Sequence, residues 1–164
     1  MIRALREIID RLSAGASVDE RGPLDREEAI RLATAVLLVE TARADESEKI
    51  VESAAIFEQL QRHFALPAEE AEELMALAEQ EIKDAVSLQR FTRALHEALS
   101  EQEKLAIVEM LWRVAWADRH LHPREETLVR RIGGLLYIRE SDMLRLRNLV
   151  QEEDGKPWPS PRDG

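Results

Sequence analysis

Two stretches of the sequence decide the fold: residues 28–52 read EAIRLATAVLLVETARADESEKIVE, and residues 101–125 read EQEKLAIVEMLWRVAWADRHLHPRE. At an offset of 73 residues and without gaps, eight of the 25 paired positions are identical, and Phe64 further on meets Tyr137. Ordinary composition gives about two identities by chance in such a window. Each stretch combines an apolar segment, an Ala-Asp turn and the start of a second helix. We therefore predict an internal repeat of two similar halves.

The composition of the whole chain favours helices. Ala, Leu, Glu and Arg dominate, and only six glycines and six prolines are present. The apolar segments of the two repeats are apolar nearly all round, which is typical of helices at the centre of a bundle. We predict an all-α bundle of about eight helices around these two central ones. The predicted helices cover about residues 2–12, 25–44, 47–63, 67–84, 100–117, 123–134 and 141–153, and one further helix begins at Ser87.

Several of the predicted helices begin with a recognisable signal. Ser100 and Glu103 have the spacing of a capping box, in which side chain and backbone satisfy each other at the helix start. Pro123 is suited to the first position of a helix, so we predict that His122 caps that helix. Ser141 is predicted to cap the last helix.

We predict a single domain over residues 1–153, with halves at about 25–84 and 98–153 and an N-terminal helix at 2–12. Three of the six prolines fall within the last eight residues. The segment 154–164 is therefore predicted to be a disordered tail.

Composition and charge exclude several classes of protein. The 164 residues are 45% apolar and 34% charged, the balance of a globular protein, and no apolar run approaches the ~20 residues of a membrane span. The net charge of −10 argues against nucleic-acid binding, because phosphate contacts need a basic face. The absence of cysteine excludes disulfides, zinc–thiolate sites and iron–sulfur clusters. It also fits a cytoplasmic protein.

The two acidic turns are the candidate metal site. Asp45 and Asp118 each end an apolar segment, and Glu52 and Glu125 each follow seven residues later, in the first turns of the next helix. Carboxylates held across a tight connection can converge on a hard cation such as Ca²⁺, Mg²⁺ or Mn²⁺. If the repeat brings both turns together, four carboxylates share one site. The alternative is helix-end chemistry, since an acid near a helix start caps it or interacts with its dipole without any ligand.

Other side chains near the second turn have two readings each. His120 and His122 could ligate a transition metal such as zinc with Asp118 or Glu125, which we expect less than a hard cation, or they are exposed loop residues. Trp112 and Trp116 are most simply core residues, four positions apart on one helix face. An acidic run lies on the predicted helix 67–84 and is either a solvated face or a docking surface for a basic partner. It comprises Glu69, Glu70, Glu72 and Glu73.

The two turns resemble those of the tellurite-resistance TerB family. Its typical turn reads Ala-Asp-Gly, a polar residue, an aliphatic residue, two or three variable positions and then Glu. The second turn matches at Ala117, Asp118, Leu121 and Glu125, and Arg119 occupies the usual glycine position.

The first turn departs further, with Glu46 in the glycine position and Glu48 in the aliphatic one. The resemblance covers about residues 25–150. It implies an all-helical TerB-like bundle in a bacterial cytoplasmic protein linked to tellurite resistance or a related stress response. TerB-like domains also occur in membrane-associated DnaJ-type co-chaperones, and an acidic cluster of the family is suggested to bind metal. The matching acids here are Asp45, Glu52, Asp118 and Glu125.

Three classes of function stay open from the sequence. The first is a non-catalytic module that binds or senses a divalent cation through the acidic turns. The second is a protein-interaction scaffold, acting with stress-response proteins at the cytoplasmic membrane surface without any metal. The third is a metal-dependent hydrolase, which we expect least. The paired Glu-x-x-His pattern of di-iron bundles, a phosphate loop and a nucleophile motif are all missing from the sequence.

Overall fold

A computed structural model describes residues 23–44, 50–83 and 88–155 of the chain. Within these ranges every regular element is a helix, as predicted, and seven helices follow one another. They are α1 (Pro23–Ala42), α2 (Ile50–Phe64), α3 (Ala68–Lys83), α4 (Leu88–Ala98), α5 (Glu101–Ala115), α6 (Pro123–Leu135) and α7 (Glu140–Gly155). The predicted N-terminal helix 2–12 and residues 156–164 of the predicted tail lie outside the described residues.

Helices α1 and α5 form the centre of the bundle, as predicted. Helix α1 packs against five others, α2 to α6, and α5 packs against α1, α2, α6 and α7. Every residue from Leu32 to Val39 is buried, which explains why this segment has no polar face. Thr34 and Thr41 are also buried in this helix. Their hydroxyls donate to the carbonyls of Ile30 and Leu37, at 2.8 and 2.9 Å. These bonds satisfy the polar groups inside the core.

The two halves share a set of packing relations. Helix α1 packs on α2 and α3, and α5 packs on α6 and α7; the pairs α2–α3 and α6–α7 are also in contact. Across the halves, α1 contacts α6 and α2 contacts α5. Such paired contacts are what an internal repeat would produce. The duplication of one ancestral half stays a prediction.

The turns that end α2 and α6 correspond with an offset of 72 residues. Ala65 and Tyr137 each adopt a left-handed conformation, with φ of 54° and 62°. The next N–H in each turn bonds back to a carbonyl five residues earlier, from Leu66 to Gln61 and from Ile138 to Gly133. Tyr137 is thus the structural counterpart of Ala65, whereas the gapless offset pairs it with Phe64. The second half is one residue shorter between its acidic turn and this point.

The structure shifts several predicted helix boundaries. Helix α1 begins at Pro23, two residues before the predicted start, because proline has the backbone angle that a first helical position needs. Helix α7 begins at Glu140, which places Ser141 inside the helix instead of at its cap. It ends at Gly155, so residues 154–155 of the predicted disordered tail are helical. An ion pair between Glu153 and Arg113 of α5 (2.7 Å) holds this last turn against the bundle.

The capping box of α5 forms as predicted. The Ser100 hydroxyl accepts from the Glu103 N–H at 3.2 Å, and the Glu103 carboxylate accepts from the Ser100 N–H at 2.9 Å. His122 occupies the cap position of α6, but its side chain makes no capping hydrogen bond. Among the described residues, none of the helices has the length and apolar character needed to cross a membrane.

Candidate functional site

The second acidic turn connects α5 to α6 through a left-handed residue. The N–H of Ala117 bonds to the Val114 carbonyl (3.2 Å), and the N–H of Arg119 bonds to the Trp116 carbonyl (2.8 Å). Arg119 has a φ of 65°, a conformation that favours glycine over any residue with a Cβ. The turn therefore keeps the backbone geometry of an Ala-Asp-Gly sequence although arginine occupies the third position.

This turn fixes both carboxylate oxygens of Asp118. Its Oδ1 accepts a hydrogen bond from the His120 N–H at 3.0 Å. Its Oδ2 lies 3.4 Å from Nε2 of His122, whose ring also makes an edge contact with the His120 ring at 5.5 Å. Asp118 thus contacts the backbone of His120 and the side chain of His122, and it links the two ends of the turn.

Glu125 is the most deeply buried charged residue at the turn. It lies in the first turn of α6, and its exposed fraction is 0%. Pro123 begins this helix, a position for which the fixed backbone angle of proline is suited. Removing a carboxylate from water is expensive unless the protein, a proton or a cation compensates it. Exposed helix-end chemistry does not explain such burial, because a dipole interaction at the surface requires none.

The structure describes half of the predicted four-carboxylate site. Asp118 and Glu125 belong to the same helix–turn–helix segment, while Asp45 and the side chain of Glu52 lie outside the described residues. Within residues 23–44, 50–83 and 88–155, no three His, Asp or Glu side chains form a group that could hold a metal ion. The donor chemistry of Asp118 and Glu125 fits a hard divalent cation. Further oxygen ligands would have to come from the first turn or from water.

The two tryptophans lie beside this turn. Trp112 is buried in the core and Trp116 is half-buried at the end of α5, as expected for core packing. The indole N–H groups of both are buried without a hydrogen-bond acceptor among the described residues. Trp116 immediately precedes the turn residues Ala117 and Asp118. Its fluorescence is therefore a natural reporter of changes at this turn.

Two histidines on helices, His63 and His96, also have specific surroundings. His63 lines a surface groove of about 330 Å³ between α1, the end of α2 and the start of α5. Glu27 and Glu103 border the groove, and its apolar floor includes Phe64 and Ile107. Desolvation in this groove lowers the pKa of His63. The negative charges of Glu103 and Glu27 raise that pKa, but by less.

His96, in the last turn of α4, contacts two residues from other parts of the chain. Its Nδ1 lies 2.6 Å from Nζ of Lys104, and its ring lies 4.5 Å from the ring of Tyr137. Sequence reasoning missed this cluster because the three residues have no common spacing. Lys104 lies among the polar residues at the start of α5, so its sequence position did not indicate that it is buried.

The acidic run on α3 is largely at the surface. Glu69 and Glu72 are exposed, and Glu70 and Glu73 are half-buried. Further along the same helix, Glu79 is also exposed. These carboxylates form the solvated face that the sequence predicted as one of two readings.

The chain was compared with known families and proteins. A family model described as "Tellurite resistance protein TerB" matches residues 31–148. This range runs from α1 into α7 and includes both acidic turns. No curated protein and no solved structure matches the chain.

Proposed function

We propose that this chain, which belongs to the tellurite resistance protein TerB family, is a non-catalytic cytoplasmic module that binds a divalent cation through its acidic turns. The observation that carries the proposal is the complete burial of Glu125 in the helix that follows Asp118. A role in tellurite resistance or a related stress response is part of the proposal, and it rests on family membership alone.

The chemistry of the turn supports cation binding. Asp118 is held by the backbone of His120, so its carboxylate needs little reorganisation to meet an ion. Asp118 and Glu125 would hold the cation from the second turn, and Asp45 and Glu52 are their counterparts in the first. Ca²⁺, Mg²⁺ and Mn²⁺ prefer such oxygen donors, and zinc is expected less without thiolate ligands. The cation would supply positive charge that compensates the carboxylates bound to it.

Thermal unfolding after chelation tests the proposal. Ca²⁺, Mg²⁺, Mn²⁺ and Zn²⁺ are added singly to the chelated protein and to the variants Asp118→Asn, Glu125→Gln and Asp45→Ala. A bound ion stabilises the native state by about 2.7 kcal/mol at a hundredfold excess over Kd, which raises Tm by several degrees. We expect one ion to raise Tm in the parent protein and in the exposed control Glu69→Gln, but not in the three variants. An equal response of Glu125→Gln and Glu69→Gln to that ion, or no response to any ion, contradicts the proposal.

A protein-interaction scaffold is the second candidate function. The exposed carboxylates on α3 favour it, because they offer a surface for a basic partner such as a stress-response protein at the membrane. Charge reversal by Glu69→Lys with Glu72→Lys should abolish binding to that partner and leave any cation response intact. A hydrolysis screen with the same four ions tests the third reading, and turnover that Asp118→Asn abolishes would replace the non-catalytic proposal.

A further inference from the structure

We propose that Lys104, His96 and Tyr137 form a binding site for an oxyanion, a carboxylate or phosphate group carried by a small ligand. The three residues come from α5, the last turn of α4 and the α6–α7 turn, so the fold alone assembles them. Lys104 lies near the start of α5, whereas the second acidic turn follows the end of that helix, and the two sites have opposite charge preferences.

The first step of the argument is the charge of Lys104. Lys104 is only 6% exposed, and lysine is rarely buried to this extent without a carboxylate partner. Its described polar contact is Nδ1 of His96, at 2.6 Å. Glu97, the acid next to His96 in the chain, is directed to Arg93 at 3.6 Å. The described contacts of Lys104 therefore leave its positive charge uncompensated, in a chain whose net charge is −10.

The second step is the protonation of His96. An ammonium group is a donor only, so Nδ1 of His96 must be the acceptor of the 2.6 Å hydrogen bond. A neutral imidazole has one N–H, which must then be on Nε2. The hydrogen bond from Lys104 therefore fixes the tautomer in which His96 presents Nε2–H as a second donor.

The third step is the position of Tyr137. This residue adopts the left-handed conformation, which is costly for an aromatic residue, and its exposed fraction is 72%. Core packing does not explain a large aromatic residue here, since its counterpart Ala65 ends α2 with no ring at all. The Tyr137 ring lies against His96 with centroids 4.5 Å apart. Its phenolic hydroxyl is a third hydrogen-bond donor carried by the cluster.

Together these groups favour an anion. The Lys104 ammonium, the His96 Nε2–H and the Tyr137 hydroxyl are all donors, and none of them has a further acceptor among the described contacts. A cation would be repelled by the positive charge of Lys104. A carboxylate or phosphate accepts several hydrogen bonds at once and forms stronger ones with a charged donor.

Long-range ¹H–¹⁵N NMR spectra of the imidazole nitrogens test the site. The parent protein at pH 7.5 is expected to show the Nε2–H tautomer for His96. Inorganic phosphate and sodium acetate are then added in separate titrations at constant ionic strength. We expect a saturable shift of the His96 Nε2 signal with at least one of them. Phosphate alone would identify a phosphorylated ligand, and acetate alone would identify a carboxylate.

Three variants separate a built site from diffuse electrostatic attraction. Lys104→Met keeps the buried stem but removes the charge, and should weaken binding about tenfold or more. Tyr137→Phe keeps the ring and the fold, and should weaken binding a few-fold, which keeps the site testable if Lys104→Met fails to fold. The control Arg139→Gln removes an exposed cation two residues from Tyr137 and should bind like the parent. An Nδ1–H tautomer, the absence of saturation with both anions, or weakening by Arg139→Gln but by neither site variant overturns the proposal.

Discussion

A Cβ atom on Gly133 of α6 would lie 2.2 Å from the sulfur of Met143 in α7. Met143 is almost completely buried, and Gly133 is buried beneath it. Glycine at this position therefore leaves the space in which the Met143 thioether packs against α6. The neighbouring Gly134 is exposed, and a Cβ there would meet no atom within 4 Å.

The Gly133→Ala substitution should destabilise the protein. The added methyl group must displace the Met143 side chain from a packed core, and such overpacking costs about 1–3 kcal/mol. The gain in helix propensity from glycine to alanine, about 0.5–1 kcal/mol, offsets only part of that cost. Urea unfolding should therefore show a lower free energy of unfolding for Gly133→Ala.

Gly134→Ala is the matched control, because it makes the same change one residue away without a clash. It should raise the free energy of unfolding by about 0.5–1 kcal/mol. The double variant Gly133→Ala, Met143→Ala should lose less than the sum of its single variants, since the new methyl group enters the space left by methionine. Equal effects of the two glycine substitutions would show that the α6–α7 contact does not constrain Gly133.

Arg119→Gly should stabilise the protein. Arg119 has a φ of 65°, and a left-handed residue with a Cβ costs about 1–2 kcal/mol. Glycine removes this cost but loses more entropy on folding, so the expected net gain is about 0.5–1 kcal/mol. Ala65→Gly, at a φ of 54°, should respond in the same direction. Thermal unfolding of Arg119→Gly and Arg119→Val decides the point, because valine should lower Tm if the conformation is retained.

Ser100→Ala should destabilise α5 by about 1 kcal/mol, the usual cost of losing a helix cap. The change removes the hydroxyl that accepts from the Glu103 N–H at 3.2 Å. Ser141→Ala is the matched control, since Ser141 lies within α7 and should have an effect near zero. Chemical denaturation of both variants makes the comparison. A larger loss from Ser141→Ala would be incompatible with the observed start of α7.

The stability of the protein should fall as the pH drops below the ordinary His pKa of 6.5, in part because of His63. Desolvation in the groove lowers the pKa of His63, so the unfolded chain binds its proton more tightly than the folded one. Its contribution is therefore complete above pH 6.5 and is lost as the pH falls through the lowered pKa. Urea unfolding at pH 7.5 and 5.5 should show a smaller difference for His63→Gln than for the parent.

Glu103 allows a separate check of the same linkage at lower pH. Its hydrogen bonds with the backbone and hydroxyl of Ser100 lower the pKa of this carboxyl below its ordinary value of 4.5. The stability that it contributes is present above pH 4.5 and is lost in more acidic solution. His63→Gln should narrow this lower window only slightly, because the hydrogen bonds with Ser100 lower the pKa of Glu103 more than the charge of His63 does. If the variant instead keeps the full loss between pH 7.5 and 5.5, another group causes it.

The helix boundaries and the repeat illustrate the reach of local sequence signals. The Ser100–Glu103 spacing predicted a capping box that the structure contains, because capping depends on residues three positions apart. Ser141 carried a similar signal and was wrong as a cap, since α7 begins one residue earlier. The gapless offset placed Tyr137 opposite Phe64, although the left-handed turns pair it with Ala65. Identity counts over helices cannot locate a difference of one residue in length near the helix ends.

Local sequence signals also indicated part of the candidate site. The spacing of Asp118 and Glu125 marked both as acids of one turn, and the structure places them there. The complete burial of Glu125 was not predictable, because burial depends on how α6 packs in the bundle and not on the local spacing of residues. The left-handed conformation of Arg119 was likewise not predictable, because the sequence has no glycine there to indicate it.

The sequence by itself determined that the protein is helical and which two helices lie at its centre. An apolar segment without a polar face, such as Leu32–Val39, has to be surrounded on all sides, whatever surrounds it. Only the tertiary structure decided which charged groups leave the solvent and which distant residues meet. Glu125 and Lys104 are buried although both are charged, and His96 meets Tyr137 because α4 packs on α6. Periodicity reports the face that a helix buries, but the partner across that face depends on the packing of the whole chain.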